Sequence, residues 1–204
     1  MRLILKIAVF TGVAALVLSG LAGYWIGGGL VHPQKRELSA DLISRADDSL
    51  RKINAAREDF NVVAPDGVIL RGWKVRLRGA NGDWVMLFHG VADNRAGVLP
   101  YAEMLLRHNY GVVMMDARDH GQSGGSIATY GAEERNDTRA IVAALAASEH
   151  PHCIFELGES MGAGLALQSA AVEPQIAGVV AESPFATLYK ACGYVVKYIY
   201  TYTQ

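Results

Sequence analysis

The sequence predicts an α/β fold: a mostly parallel sheet with helices on both faces, opened by an antiparallel hairpin. Three observations carry this. From residue 60 onward, apolar runs of strand length alternate with segments whose apolar residues recur at helical spacing, the rhythm of strands joined by helices. Two of those runs, Trp84–Phe88 and Gly111–Met115, are apolar throughout rather than alternating, as a strand covered on both faces requires. Finally, an apolar strand, a Gly-x-Ser-x-Gly turn and a small-residue helix follow one another without a gap over residues 153–170.

The N-terminus precedes this pattern. Ile7 to Val31 carries no charge over 25 positions, behind a basic tip of Arg2 and Lys6. About 20 apolar residues cross a bilayer, so residues 1–35 are expected to be a membrane anchor. A cleaved signal peptide is the rival reading, although Ser19-Gly20-Leu21-Ala22-Gly23 makes a poor cleavage site. Lys35, Arg36 and Arg45 beyond the run balance Arg2 and Lys6. A short basic tip before a long domain stays inside, since long domains translocate largely regardless of charge. The expectation is a single-pass membrane protein with an extracytoplasmic globular part, or a secreted or periplasmic one after signal cleavage. Residues 36–59 place Leu38, Leu42, Ile43, Ala46, Leu50 and Ile53 at helical spacing. They read as a juxtamembrane helical stalk or a helix packed on its own domain.

Residues 60–64 and 68–75, divided by Pro65-Asp66-Gly67, read as the hairpin. Trp84–Phe88 is the first buried strand. Tyr101, Met104, Leu105 and His108 then mark a helix, Gly111–Asp116 the next strand, and Thr138, Ile141, Val142 and Leu145 another helix. Cys153–Leu157, the small-residue helix from Ala163 and the strand Ile176–Ala181 complete the series. Leu188 to Gln204 begins a further, tyrosine-rich element. Cys153 and Cys192 are expected as buried thiols, since two cysteines make no disulfide framework.

In a doubly wound sheet the crevice lies at the carboxyl ends of the strands, and the residues that carry chemistry gather there. Gly158-Glu159-Ser160-Met161-Gly162 has the strand–turn–helix context of a nucleophile elbow. Acyl transfer also needs two N–H groups aimed at the developing oxyanion. Met161, next after the serine, and Val91, in the loop after His89-Gly90, are the candidate donors. His89 is expected to be structural, bonded to loop backbone. Asp116-Ala117-Arg118-Asp119-His120-Gly121 reads as a turn held by an Asp–Arg pair, because its one histidine and two aspartates lack zinc-site spacing. Glu133, Glu134 and Asp137 read as acidic residues suited to a helix dipole. Glu182 ends the strand after the elbow and is the available candidate for an acid. All six histidines precede Ser160, as does the last aspartate, Asp137. His89 and His120 stand on the crevice rim and are expected not to reach the serine.

Taken together, these residues resemble the α/β-hydrolase superfamily, and within it bacterial serine hydrolases related to the monoacylglycerol lipases and S33 aminopeptidases. The resemblance covers about residues 60–187. It rests on Asp66-Gly67 with Leu70 and Gly72-Trp73, His89-Gly90 with Asn94-Arg95, Asp116-x-Arg118-x-His120-Gly121-x-Ser123-x-Gly125, the Ser160 turn, and Glu182-Ser183-Pro184-Phe185. It implies Ser160 as nucleophile, Val91 and Met161 as the oxyanion hole, and a small-molecule or lipid-like acyl substrate held as an ester, thioester or amide. Arg118-Asp119 departs from the usual Arg-Gly. The family's acid normally follows the next strand and its histidine the last one. Residues 60–204 are therefore expected as an incomplete α/β-hydrolase domain, part of a truncated enzyme or a degenerate, non-catalytic one. A net charge of −1 gives no footprint for nucleic acid. No metal or cofactor is expected, since serine acyl transfer needs none.

Overall fold

The computed structural model describes residues 2–187. Cys192 and the Leu188–Gln204 element expected above lie outside them. The chain divides into two compact units, Met1–Gln34 and Lys35–Gln204.

The first unit is one helix, α1 (Arg2–Val31), which contains no buried residue. Leu16 and Phe10 are each 75% exposed. At 1.5 Å per residue it is about 45 Å long, and by length and composition it suffices to cross a membrane.

The second unit holds α2 (Ala40–Arg51), β1 (Glu58–Val63), β2 (Ile69–Val75), β3 (Trp84–Phe88), α3 (Leu99–Arg107), β4 (Gly111–Met115), α4 (Glu134–Glu149), β5 (Ile154–Glu159), α5 (Met161–Ala170) and β6 (Ile176–Glu182). Its sheet order is β1-β2-β4-β3-β5-β6. β1, β2 and β4 pair antiparallel in turn, and β4, β3, β5 and β6 are parallel. The hairpin turn closes through two backbone bonds, Ala64 N–H to Val68 O at 2.8 Å and Gly67 N–H to Ala64 O at 2.9 Å. Gly67 sits at φ +87°, where glycine carries no steric penalty.

The core forms two layers because side chains alternate across the sheet with a period of two. Val85 and Leu87 of β3 face α2 and α3 with Trp73, Val112, Met114 and Leu157. Trp84, Met86 and Phe88 face α4 and α5 with Leu70, Val113, Met115 and Leu145. Each such side chain contributes roughly 1.5–3 kcal/mol relative to exposure. All five residues of β3 and of β4 are buried, which makes these strands the rigid floor of the crevice.

The segment expected as a stalk is built into this unit. Ser39 caps α2 by accepting from Leu42 N–H at 3.3 Å, and Leu38, Ala46, Leu50 and Ala55 are buried in the core. The register of α3 also differs from the sequence-based expectation. Ala102 and Leu106 are its buried stripe, whereas Met104 is exposed and His108 caps the end of the helix. Small Ala102 lets the helix approach the sheet closely, and spacing alone ranks it below the larger Met104. Cys153 precedes β5 and is only partly buried.

One polar group stands out in the floor. Glu156 lies on β5 in register with Met86 of β3 and Val179 of β6. It is fully buried, and neither carboxylate oxygen has a hydrogen-bond partner among the described residues. Desolvation, with a further contribution from Glu173, raises its pKa to about 8, so the group is largely protonated at neutral pH.

Candidate active site

Ser160 stands between β5 and α5 at φ +52°, ψ −108°. This is strained backbone for a residue with a Cβ, held in place from several sides. Its N–H donates to the Glu182 carbonyl at 2.9 Å, and its carbonyl accepts from Gly164 N–H at 3.2 Å. The flanking glycines are required by close approach. A Cβ on Gly158 would stand 2.1 Å from the Gly162 carbonyl oxygen, and one on Gly162 would stand 2.3 Å from that of Phe88. The end of β3 therefore abuts the elbow directly.

The loop that leaves β3 passes the serine. A Cβ on Gly90 would lie 3.7 Å from Ser160 Cβ. Asp93 N–H reaches back to Gly90 O at 3.4 Å, closing a tight turn with Val91 and Ala92 at its corner, Ala92 at φ +61°. Val91 is exposed and Met161 buried. Met161 opens α5, and the first N–H groups of a helix have no acceptor within it. The structure thus brings Ser160, Met161 and the Val91 turn to one end of the sheet.

Both rim histidines are turned inward. His89 is buried; its Nε2 accepts from Ala117 N–H at 3.1 Å, so Nδ1 carries the proton and donates to Gly90 O at 2.7 Å. Burial lowers its pKa and keeps the ring neutral. His120 is also buried, and its Nδ1 bonds the Arg118 carbonyl at 3.0 Å. Its Nε2 has no hydrogen-bond partner among the described residues. The two rings stack tilted with centroids 5.2 Å apart, and neither bonds the serine hydroxyl. Glu182 is exposed and accepts a hydrogen bond from the Tyr101 hydroxyl. That carboxylate drives the Tyr101 pKa up to about 12, so the phenol stays a donor.

The Asp116–Gly125 turn is built from ion pairs whose partners lie elsewhere in the chain. Asp116 accepts from Arg95 N–H at 2.6 Å, Arg95 Nη1 at 2.5 Å and Gln122 N–H at 2.8 Å. Arg118 clamps Asp137 with two bonds of 2.8 and 2.6 Å and reaches Asp66 of the hairpin turn at 2.9 Å. These carboxylates raise the Arg118 pKa, and the Arg118 bond lowers that of Asp66. Asp137 is thus Arg118's counter-ion rather than a dipole partner, and Glu134 accepts from Thr129 and Gly131 N–H groups. Sequence reasoning missed these pairs because their members are 19 to 52 positions apart. The motif residues around Ser160 are therefore scaffold, and they fix the loops that the site needs.

The family model described as serine aminopeptidase, S33, matches residues 80–199. The uncharacterized protein YqkD of Bacillus subtilis (strain 168) is 30% identical over 139 residues, 65% of this chain and 45% of YqkD. The Pyrococcus furiosus esterase Pf2001 superposes with a TM-score of 0.71 at 28% identity, covering 84% of this chain and 63% of the esterase. In another crystal form the values are 0.62 and 32%, over 66% and 53%. XC6422 from Xanthomonas campestris, a serine hydrolase without a lid, shares the fold at 21% identity and a TM-score of 0.51, over 58% of this chain and 57% of that one. The chain spans about half the length of the relatives it matches. It belongs to the serine aminopeptidase S33 family of α/β hydrolases.

Proposed function

We propose that this chain carries the nucleophile and oxyanion hole of a serine hydrolase that cleaves a carboxylic ester, thioester or amide. Ser160 is the nucleophile, and the N–H groups of Val91 and Met161 receive the oxyanion. The observation that carries this reading is the strained φ of Ser160 at a strand-to-helix turn, with the Gly90 loop passing within a methyl group's width of its Cβ. In the proposed reaction Ser160 Oγ bonds to the carbonyl carbon and the carbonyl electron pair moves onto oxygen between the two amides. Collapse expels the alcohol, thiol or amine and leaves an acyl-serine.

A base must take the hydroxyl proton and later activate water. His89 has both nitrogens committed, and His120 Nε2, though unpartnered among the described residues, makes no hydrogen bond to the hydroxyl. Both half-reactions are therefore expected to be slow, since among the described residues neither His89 nor His120 bonds the serine to take its proton or activate water. The expected result with excess p-nitrophenyl acetate is slow, stoichiometric acetylation of Ser160 with little turnover, read by peptide mass spectrometry and absent in Ser160→Ala. Acetyl groups scattered over lysines, with none on Ser160, would leave only the non-catalytic scaffold reading.

We place the substrate among small-molecule or lipid-like acyl compounds, a reading supported by the esterase relative and by the apolar α1, which we take as a membrane anchor with the second unit extracytoplasmic. On this reading an alkaline carbonate wash leaves the intact chain in the membrane pellet. Release of the full-length chain into the supernatant would refute the anchor.

A further inference from the structure

We propose that Lys35–Leu38 is a strap that holds the Val91 turn in its oxyanion-donating form, with Arg36 as the positioning residue. The proposal rests on the serine-hydrolase reading above only for its catalytic consequence. By sequence, Lys35 and Arg36 look like a basic flank after an apolar run. In the structure both cations are taken up by the two loops that border the elbow.

Arg36 Nη1 bonds Asp93 Oδ1 at 2.9 Å, and the Arg36 carbonyl accepts from Asn94 Nδ2 at 3.2 Å. Asp93 and Asn94 form the far end of the turn whose corner is Val91. The same Asp93 oxygen accepts from Asn94 N–H at 2.9 Å, and fully buried Asn94 caps the next turn through Ala96 N–H at 3.0 Å. Lys35 Nζ lies 2.5 Å from Asp119 Oδ1 in the neighbouring loop. The Asp119 side chain is only 4% exposed, its residue sits at φ +58°, and its other oxygen has no hydrogen-bond partner among the described residues. Lys35 is thus the counter-ion that makes this buried carboxylate tolerable. Three residues on, Leu38 is buried in the core with Val98, Ala102 and Leu106, so the strap is pinned at both ends.

An exposed ion pair alone contributes little. Here two ion pairs, a backbone carbonyl and a buried leucine act on one short segment and set one turn. Releasing Arg36 frees Asp93 to rotate and lets the Gly90–Asp93 turn open, turning the Val91 N–H away from the crevice without disturbing the sheet.

Two readouts on the full chain in detergent test this. In Arg36→Ala, amide exchange of residues 89–95 is expected to accelerate about tenfold while strands 84–88 and 154–159 change less than twofold. The maximal rate of Ser160 acetylation is expected to fall about tenfold, below the cost of losing a whole oxyanion donor, with half-saturation unchanged. Arg36→Lys restores most of both, and Arg45→Ala, which breaks an exposed pair elsewhere, changes neither. For the second tie, Lys35→Ala combined with Asp119→Asn avoids stranding a buried charge and loosens the same turn. Unchanged exchange at 89–95, or a rise shared equally by the two strands, overturns the strap. If Ser160 of the unaltered chain takes no acetyl group, the serine reading fails, and the exchange data still decide the strap.

Discussion

Steady-state hydrolysis of a short p-nitrophenyl ester by the purified 204-residue chain is expected to stay within about 10³–10⁴ of the uncatalysed rate. On the proposed reading, that is what an oxyanion hole and binding supply when no histidine takes the serine proton. Enzymes with their full machinery reach roughly 10⁶ and above, so the deficit is large enough to read in a plate assay. The physical reason lies in two rings. Ala117 N–H fixes the His89 tautomer, and the loop seals His120. His89 thus has both nitrogens in backbone bonds, and buried His120 is tied through Nδ1 to the Arg118 carbonyl; neither ring bonds the serine hydroxyl. Robust turnover that is lost both in Ser160→Ala and in His89→Ala or His120→Ala would establish a rewired triad and contradict this account.

Replacing Glu156 by methionine is expected to raise stability at pH 8 by several kcal/mol and to flatten its pH dependence. The folded-state pKa of about 8 lies above the reference value of 4.5. Between those two values the native state binds a proton that the unfolded chain has lost. Stability is therefore highest below pH 4.5, falls as pH rises towards 8, and carries the full penalty above it. The gap corresponds to a penalty on the order of 4–5 kcal/mol. Methionine suits the site because Met86 and Val179 flank it in register. Urea unfolding of the full chain in detergent at pH 5, 7 and 9 measures the effect. Equal slopes against pH for the two proteins would show that Glu156 finds a partner or water.

How much of this was legible in the sequence follows from the range of each interaction. The strands, the hairpin, the Ser160 turn and the sheet's parallel half rest on local periodicity and on glycines, and the structure has them where they were expected. Glu156 was passed over because a single acid inside Cys153–Leu157 does not disturb an apolar run. Its burial emerges only once Met86 and Val179 flank it. The Arg95–Asp116 and Arg118–Asp137 pairs, and the strap formed by Lys35 and Arg36, join distant segments through charge. Any of the many arginines and aspartates satisfies such a pairing on paper. In α3, Ala102 was overlooked because small residues mark close approach rather than hydrophobic bulk. The inward-facing His89 was anticipated from its loop, but its tautomer required the Ala117 contact.

The central proposal is that Ser160 is a nucleophile whose proton neither His89 nor His120 takes, and added imidazole tests it most directly. A small base that diffuses into the crevice should take the hydroxyl proton that neither His89 nor His120 takes. The account predicts that Ser160 acetylation by p-nitrophenyl acetate, and then deacetylation, accelerate with imidazole concentration above the imidazole-only reaction. Both increments should be absent in Ser160→Ala. Identical imidazole dependence for the unaltered chain and Ser160→Ala, with no acetyl group on Ser160 at any concentration, would contradict it.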